Sequence, residues 1–390
     1  MIDQESAPRL PVATLLGLKI SPRGPSYTLV RLLEGMRSPD MPVSLYAPVN
    51  GWPDPLPMEV RTGISGGLAQ HLHLPYRLTS KTLKRRSERR LLRHFDATDR
   101  RGLVYTWGEV ALETSKQLAE RRIPVVREKF NCAKQLSRRV LQDAYAQFGI
   151  ETAIITEAAL EKEALELSLA DAIFCPSPMV TRSLVDLGIA RDKLLDTSYG
   201  WEPERFAAQA AQSPRPAKGR PALLFVGHVC VRKGAHLLLE AWRRSGIKGS
   251  LTLVGGMETL IQEQYADVLA RDDVHYVPYT PDIASFYRSA DWFIFPTLEE
   301  GGPQVTYEAA GNGLPLLVSP MGAGAFARDG VDGVVLDSSE VDPWVDLLRS
   351  LPDREAQREQ FGRNAQEHAS NFTYDKVGAR RRELLLSKFQ

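Results

Sequence analysis

Long apolar runs are missing from this sequence: no hydrophobic stretch approaches the roughly 20 residues that a membrane-spanning helix needs. Cysteine is scarce too, and the 3 cysteines are too widely spaced for a zinc or disulfide pattern, which fits a reducing compartment. Neither sign of charge dominates, and a net charge of +1 gives no reason to expect nucleic acid as a partner. The chain begins with polar and acidic residues, unlike a signal peptide, so we expect a cytoplasmic location.

Length and patterning predict two α/β domains. A chain of 390 residues exceeds one ordinary domain, and 43% hydrophobic residues can fill two cores. Short apolar runs alternate with amphipathic stretches, which is typical of doubly wound domains with parallel sheets. The predicted strands are 12–16, 43–46, 103–105, 124–126, 223–226, 251–254, 292–295 and 316–318. The predicted helices include 111–121, 133–146, 157–170, 234–245 and 341–350.

Composition predicts where the two domains meet. Residues 207–220 have no hydrophobic period and are rich in alanine and proline, which is typical of a linker. We therefore expect a first domain over 1–206 and a second over 221–373. Each is large enough for one Rossmann-like fold.

Two glutamates flank the start of a predicted helix in the second domain. Glu300 follows a predicted buried strand, and Glu308 comes eight positions later, in the first turns of the helix. Between them, Gly301 and Gly302 offer bare backbone that can approach a ligand closely. A helix N-terminus favours a phosphate, and carboxylates can accept hydrogen bonds from hydroxyls. The arrangement suits a nucleotide sugar, with Glu299 expected to be a solvated neighbour.

This stretch resembles the E-x7-E motif of the retaining glycosyltransferases of family 4, the glycosyl transferases group 1, which have the GT-B fold. The resemblance implies that Glu300 contacts the donor sugar and that Glu308 binds the ribose of the nucleotide. Pro303 has no amide to donate and stands where the family usually has glycine. Donor-binding amides are expected from Gly301, Gly302, Gln304 and Val305.

A second group of residues resembles the diphosphate clamp of the family. Gly227 ends a predicted strand, and Arg232 and Lys233 follow just before the next predicted helix. In the family an arginine and a lysine hold the donor diphosphate here, and a cation at this place stabilises the leaving group. The family arginine position falls on His228, for which Arg232 could compensate. Glu300, Lys233 and Arg232 form the predicted catalytic set, with Gly227 and His228 as donor-binding residues.

Further resemblances extend the predicted site. Gly24 follows the first strand, where the family has a glycine-rich loop that reaches the donor phosphates and the acceptor. Val277 lies where backbone and apolar groups hold the base. Residues 125–131 contain no histidine, although many members place one after this strand. The group that guides the acceptor proton is therefore left open.

The resemblance implies an α/β fold of GT-B type, with two Rossmann-like doubly wound domains facing across a cleft. The second domain would bind the nucleotide sugar and the first the acceptor, and a last helix over 374–390 would pack back on the first domain. The implied activity is retaining transfer of a hexose to a hydroxyl, in the synthesis of a cell-surface polysaccharide or glycolipid. The family needs no metal, the sequence has no D-x-D pair, and no cofactor is expected beside the donor substrate.

A basic run at 77–95 predicts a different kind of contact. Its arginines and lysines are offset only by Glu88, and leucines together with Phe95 supply an apolar stripe. A basic amphipathic helix is typical of an element that lies on a membrane surface. Such a contact would suit a lipid-linked acceptor and a peripheral position at the inner face of the membrane. An ordinary surface helix is the alternative.

Two other functions fit the same fold. A sugar-nucleotide epimerase would turn over the donor without an acceptor. A catalytically degenerate relative would act in complex assembly, which the missing histidine and His228 favour. Intact Glu300, Glu308 and Lys233 favour the enzyme instead.

Overall fold

The computed structural model describes residues 9–63, 76–151, 155–207 and 220–390. Apart from its two end residues, the linker predicted at 207–220 lies outside the described residues. The described parts form two parallel sheets covered by helices, so the predicted α/β class is confirmed.

The first sheet has strands β1 Val12–Leu16, β2 Val43–Ala47, β3 Glu59–Thr62, β4 Leu103–Trp107, β5 Val125–Glu128, β6 Ala172–Cys175 and β7 Leu194–Asp196. They are parallel and lie in the order β3-β2-β1-β4-β5-β6-β7. The helices are α1 Pro25–Met36, α2 Tyr76–Ala97, α3 Leu112–Glu120, α4 Lys134–Ala146, α5 Glu157–Ser168, α6 Pro178–Asp186 and α7 Glu204–Ala207. Strands β1 and β4 are buried along their whole length, which explains their continuous apolar runs.

The second sheet has strands β8 Ala222–Val226, β9 Ser250–Val254, β10 Val274–Val277, β11 Trp292–Phe295, β12 Leu316–Val318 and β13 Gly333–Val335. They are parallel, in the order β10-β9-β8-β11-β12-β13. The helices are α8 Ala235–Ser245, α9 Thr259–Gln264, α10 Ala266–Leu269, α11 Ile283–Ser289, α12 Gln304–Gly311, α13 Pro320–Ala323, α14 Val341–Ser350 and α15 Glu355–Ala369. The sheet and its helices enclose one large apolar core.

The last helix, α16 (Tyr374–Phe389), returns to the first domain and packs against α1. Its Arg381 is fully buried and pairs with Glu128 at the end of β5, with Nη1 2.8 Å from Oε2. The Tyr105 hydroxyl donates to the same carboxylate at 2.6 Å, and Nη2 of Arg381 donates to the Ser198 carbonyl at 3.0 Å. Because an isolated buried charge is costly, these partners hold α16 in one position.

The predicted strands and helices are confirmed, with small shifts at their ends. Sequence patterning missed β3, β6, β7 and β10. Polar or charged residues interrupt the edge strands β3 and β10, and β6 and β7 are only four and three residues long. All three cysteines are free and buried. Within the described ranges, no helix is long and apolar enough to cross a bilayer.

Candidate functional site

A cavity of about 380 Å³ lies between the two domains, at the carboxyl edges of both sheets. Its wall includes Gly24 after β1, Trp107 at the end of β4 and Phe130 after β5. From the second domain it includes Gly227 after β8 and Phe295 at the end of β11. Ligands of doubly wound folds bind at this edge of the sheet, so the cavity is the candidate site.

Lys233 and Glu300 make an ion pair inside this cavity. Their side chains are only 12% and 13% exposed. The pKa of Lys233 is lowered to about 7, mainly by burial and secondly by the charge of Arg232. Cys230 and the Glu299 carboxylate oppose this decrease, because nearby negative charge favours the ammonium form. A lysine with a lowered pKa in a cleft is a feature of functional sites.

Local backbone geometry explains the position of Lys233. The residue ends a short 3-10 turn, Val231–Lys233, that joins β8 to α8. Gly234 follows at φ 70° and caps α8. A Cβ at Gly234 would lie 1.9 Å from the carbonyl oxygen of Pro296, so only glycine lets the turn pack beside the loop after β11. The turn and the glutamate loop are thereby held side by side.

The loop between Glu300 and α12 presents the helix start to the cavity. Pro303 is the N-cap residue of α12, so the helix begins directly after it. Gln304 and Val305 are the first helical residues, and both line the cavity together with Gly302. Amides of a first helical turn have no partner within their own helix and can bind an anion.

The two glycines of this loop have a structural role that the sequence did not indicate. A Cβ at Gly301 would lie 1.5 Å from the Phe130 carbonyl oxygen, and one at Gly302 would lie 2.5 Å from the Tyr199 ring. Both contacts belong to the first domain. The missing side chains therefore let the two domains approach each other, and a role of the Gly301 amide towards a donor stays a prediction.

Glu299 is not the solvated neighbour that the sequence suggested, because it is only 1% exposed. Its carboxylate accepts hydrogen bonds from Ser137 at 2.9 Å and from Asn131 at 3.1 Å, both in the first domain. Arg232 donates to the main-chain oxygen of Glu299 at 3.0 Å and lies 3.4 Å from its Oε2. No local sequence pattern indicated that Glu299 is buried, since its hydrogen-bond partners are far away in the sequence.

Arg232 and Glu308 stand beside the cavity rather than in its wall. Nη1 of Arg232 lies 3.9 Å from Oε2 of Glu300, close enough to add positive charge to the Lys233 region. Glu308 projects from α12 and accepts a hydrogen bond from the Tyr287 hydroxyl at 3.1 Å. Burial raises the pKa of Glu308, and a guanidinium nitrogen of Arg205 at 3.9 Å opposes this shift.

The two remaining predicted residues lie at the ends of β8 and β10, the two strands that flank β9. His228 follows β8 and is exposed, and its Nδ1 would lie 3.3 Å from a Cβ at Gly256. Val277 ends β10, and its carbonyl accepts a hydrogen bond from the Gly255 amide at 2.9 Å. Neither belongs to the wall of the 380 Å³ cavity. Their assignment to the donor remains a prediction.

Aromatic residues of the first domain are the part of the site that sequence reasoning missed. Trp107 and Phe130 pack edge to face with ring centroids 4.9 Å apart, and Tyr199 lies beside Trp107. All three line the cavity opposite Lys233. Each of them lies at or after the end of a parallel strand, and this position could have indicated a place in the site.

A larger cavity of about 1160 Å³ lies elsewhere between the domains. It is lined by α6, the Gly324–Arg328 segment and α16, and it contains neither Lys233 nor the glutamate pair. We place the site in the smaller cavity, because a lysine, a carboxylate and a helix start meet in its wall. Across the described part of the chain, no three metal-ligating side chains are grouped to hold an ion.

Solved structures with the same architecture are glycosyltransferases of the GT-B fold. HepE from Anabaena in complex with UDP and glucose has a TM-score of 0.67 at 16% identity, covering 96% of this chain and 99% of that one. WaaG, a glycosyltransferase of lipopolysaccharide biosynthesis, has a TM-score of 0.64 at 15% identity, covering 96% and 99%. The chain therefore has the GT-B fold, and the predicted fold class is confirmed.

Sequence comparison places the second domain in a family. Residues 208–368 match the family model "Glycosyl transferases group 1". The chain is 32% identical over 181 residues to D-inositol 3-phosphate glycosyltransferase of Arthrobacter sp. (strain FB24), covering 43% of each protein. It is 25% identical over 154 residues to the capsular polysaccharide biosynthesis glycosyltransferase CapM of Staphylococcus aureus, covering 38% of this chain and 40% of CapM. The second domain is thus a group 1 glycosyltransferase domain, which confirms the family that the motifs indicated, while the alignments span less than half of these relatives.

Proposed function

We propose that this protein is a retaining glycosyltransferase that moves a hexose from a nucleotide-sugar donor to a hydroxyl acceptor. The observation that carries the proposal is the Lys233–Glu300 pair in a cavity between the domains, beside the start of α12. A diphosphate replacing the glutamate as the partner of Lys233 would free the Glu300 carboxylate to accept from sugar hydroxyls. We therefore infer that the donor sugar binds at Glu300.

The chemistry follows from the charges at this place. The bond between the sugar C1 and the diphosphate oxygen breaks, and C1 forms a bond to the acceptor oxygen on the same face. Lys233, Arg232 and the first amides of α12 stabilise the negative charge on the departing diphosphate. These cations supply the charge neutralisation for which other transferases use a divalent metal. The acceptor hydroxyl passes its proton to the departing phosphate.

UDP is the nucleotide that we propose for the donor. The support is the bound UDP in HepE, which shares the fold over nearly the whole chain. The acceptor is a glycan or a lipid-linked sugar of the cell surface, as the names of CapM and WaaG suggest by similarity. The aromatic wall of Trp107, Phe130 and Tyr199 supplies faces on which a sugar ring can stack.

A peripheral contact with the cytoplasmic face of the membrane is part of the proposal. Lys81, Arg85, Arg89 and Arg93 are exposed on α2 at a spacing of four, which places them on one face. Glu88, the one acidic residue of 77–93, is buried and bonded to the Ala111 amide and the Thr114 hydroxyl. The apolar stripe of α2 is buried against its own sheet, so the contact would be electrostatic, on the order of 1 kcal/mol per cation.

Thermal shift and transfer assays test this function together. UDP should raise the melting temperature of the protein, more than GDP or ADP does. Lys233→Ala and Glu300→Ala should each lower transfer from UDP-sugars by about 10²–10³-fold or more, the usual effect of losing a transition-state contact. Lys248→Ala and Glu263→Ala, exposed residues of the same domain, are the matched controls.

The outcomes separate the alternatives. Donor turnover without an acceptor would favour an epimerase, and UDP binding without any turnover would favour a non-catalytic relative. Full transfer by both Lys233→Ala and Glu300→Ala would disprove the proposed site.

A further inference from the structure

Helix α4 belongs to the first domain but packs on the second. Ala144 is 3% exposed and forms part of the apolar core of the second domain. Tyr145 and Phe148 pack against the same core, and the Phe148 ring meets the His236 ring of α8 edge to face, at 5.7 Å between centroids. The helix therefore connects the two halves of the cleft through packing, beside the segment that carries Lys233.

Two carboxylates join α4 to that segment. Glu258 accepts the Tyr145 hydroxyl at 2.7 Å on Oε1 and the Val231 amide at 3.0 Å on Oε2. Glu299 accepts the Ser137 hydroxyl at 2.9 Å on Oε1, and its Oε2 lies 3.4 Å from Nη1 of Arg232. Each carboxylate thus uses one oxygen for α4 and the other for the Val231–Lys233 turn, and Oε2 of Glu299 accepts from Asn131 at 3.1 Å as well.

These two bridges flank the turn on both sides. Glu258 holds its first residue, Val231, and Glu299 holds its second, Arg232. Lys233, the third, is left facing the cavity. The orientation of its ammonium group therefore depends on groups that α4 holds. Burial, followed by the hydrogen bond to Glu258, raises the pKa of Tyr145, which keeps its hydroxyl protonated as the donor.

We propose that α4 positions the diphosphate clamp of this enzyme across the cleft, with Glu258 and Glu299 as positioning residues and Ser137 and Tyr145 as their anchors. The inference rests on the proposed function, because it assigns the Val231–Lys233 turn to a diphosphate. Binding of the diphosphate therefore depends on α4, whereas binding of the nucleoside does not.

The test uses the full chain and removes only hydroxyl groups outside the cavity. Ser137→Ala, Tyr145→Phe and the double variant keep the packing of α4. Each lost hydrogen bond to a carboxylate should raise the Kd of UDP about tenfold. The Kd of UMP, which lacks the β-phosphate, should stay within twofold of wild type. The measured quantity is the UDP-over-UMP preference, by titration calorimetry.

Two hydroxyl deletions serve as matched controls. Ser168→Ala removes a hydroxyl that bonds only within α5, to the Leu165 carbonyl. Tyr265→Phe removes a buried phenol of the second domain away from the clamp. Both should retain the wild-type preference.

The possible results distinguish a role of α4 in diphosphate binding from a purely structural role. An unchanged UDP-over-UMP preference in the double variant overturns the role of α4, even if the variant is less stable, because a purely structural role moves stability alone. Equal weakening of UDP and UMP overturns it as well. Wild-type protein that binds no UDP would refute the proposed UDP donor itself, a failure that is visible before any variant is made.

Discussion

Buried charged side chains have two different roles in this protein. Arg381 and Glu128 stabilise the fold, since both are fully buried and face each other. Lys233 and Glu300 are nearly as buried but line a cavity, where their charges are available to a ligand. Burial with satisfied partners indicates structure, and burial beside open space indicates a site.

We expect Arg381→Met to lower the free energy of unfolding by about 3–5 kcal/mol, because Glu128 would be left as a buried charge without its cation. Chemical denaturation measures the change. Arg380→Met, the exposed neighbour on α16, should stay within about 0.5 kcal/mol of wild type. Adding Glu128→Gln to Arg381→Met should regain part of the loss, and no regain would argue against the pair as the cause.

We expect the pH dependence of UDP binding to report Lys233. The ammonium form binds a diphosphate, and its pKa in the free protein is lowered to about 7. UDP affinity should therefore fall as pH rises from 7 towards 9, approaching tenfold per pH unit, because binding must then take up a proton. The UDP phosphate is already ionised in this range, with a second pKa of about 6.

Lys233→Arg supplies the control for this profile. A guanidinium stays charged throughout, so the slope between pH 7 and 9 should disappear in this variant. A flat wild-type profile would contradict the role of Lys233 as the diphosphate cation.

Among the helices, α2 gives the sharpest prediction. A variant with Lys81, Arg85, Arg89 and Arg93 all changed to Gln should lose most of its binding to vesicles that contain anionic phosphatidylserine, because four exposed cations of one helix face are gone. A variant with Arg191, Arg244, Arg349 and Arg363 changed to Gln has the same net charge and keeps α2 intact. Sedimentation with vesicles at low and physiological salt compares the two. Equal binding by both variants would mean that α2 is an ordinary surface helix.

How much could be predicted from the sequence also depends on the helix or loop concerned. Buried strands such as β1 and β11 were predicted, because both faces of a central parallel strand are apolar. The loop from Glu300 to α12 was predicted, because a buried strand, a glycine pair and a helix start follow one another within a short stretch of sequence. The burial of Glu299 and the bridging role of α4 were missed, because both depend on contacts more than 100 positions apart in the chain.

The two domains together determine what can be inferred about function. The second domain carries the family motifs, and the proposed donor site is inferred from them. The first domain supplies Trp107, Phe130 and Tyr199, whose approach to Lys233 no sequence motif expresses. Gly301 and Gly302 belong to both parts of this argument. They lie in the family motif, and residues of the first domain fill the space that their side chains would occupy.

A crystal structure of the full chain with bound UDP would test the account most directly. We expect the β-phosphate within about 3 Å of Nζ of Lys233, beside the start of α12, and the ribose hydroxyls at the Glu308 carboxylate, with the ion pair between Lys233 and Glu300 broken. UDP bound in another cavity, or bound here with that ion pair intact, would contradict the account.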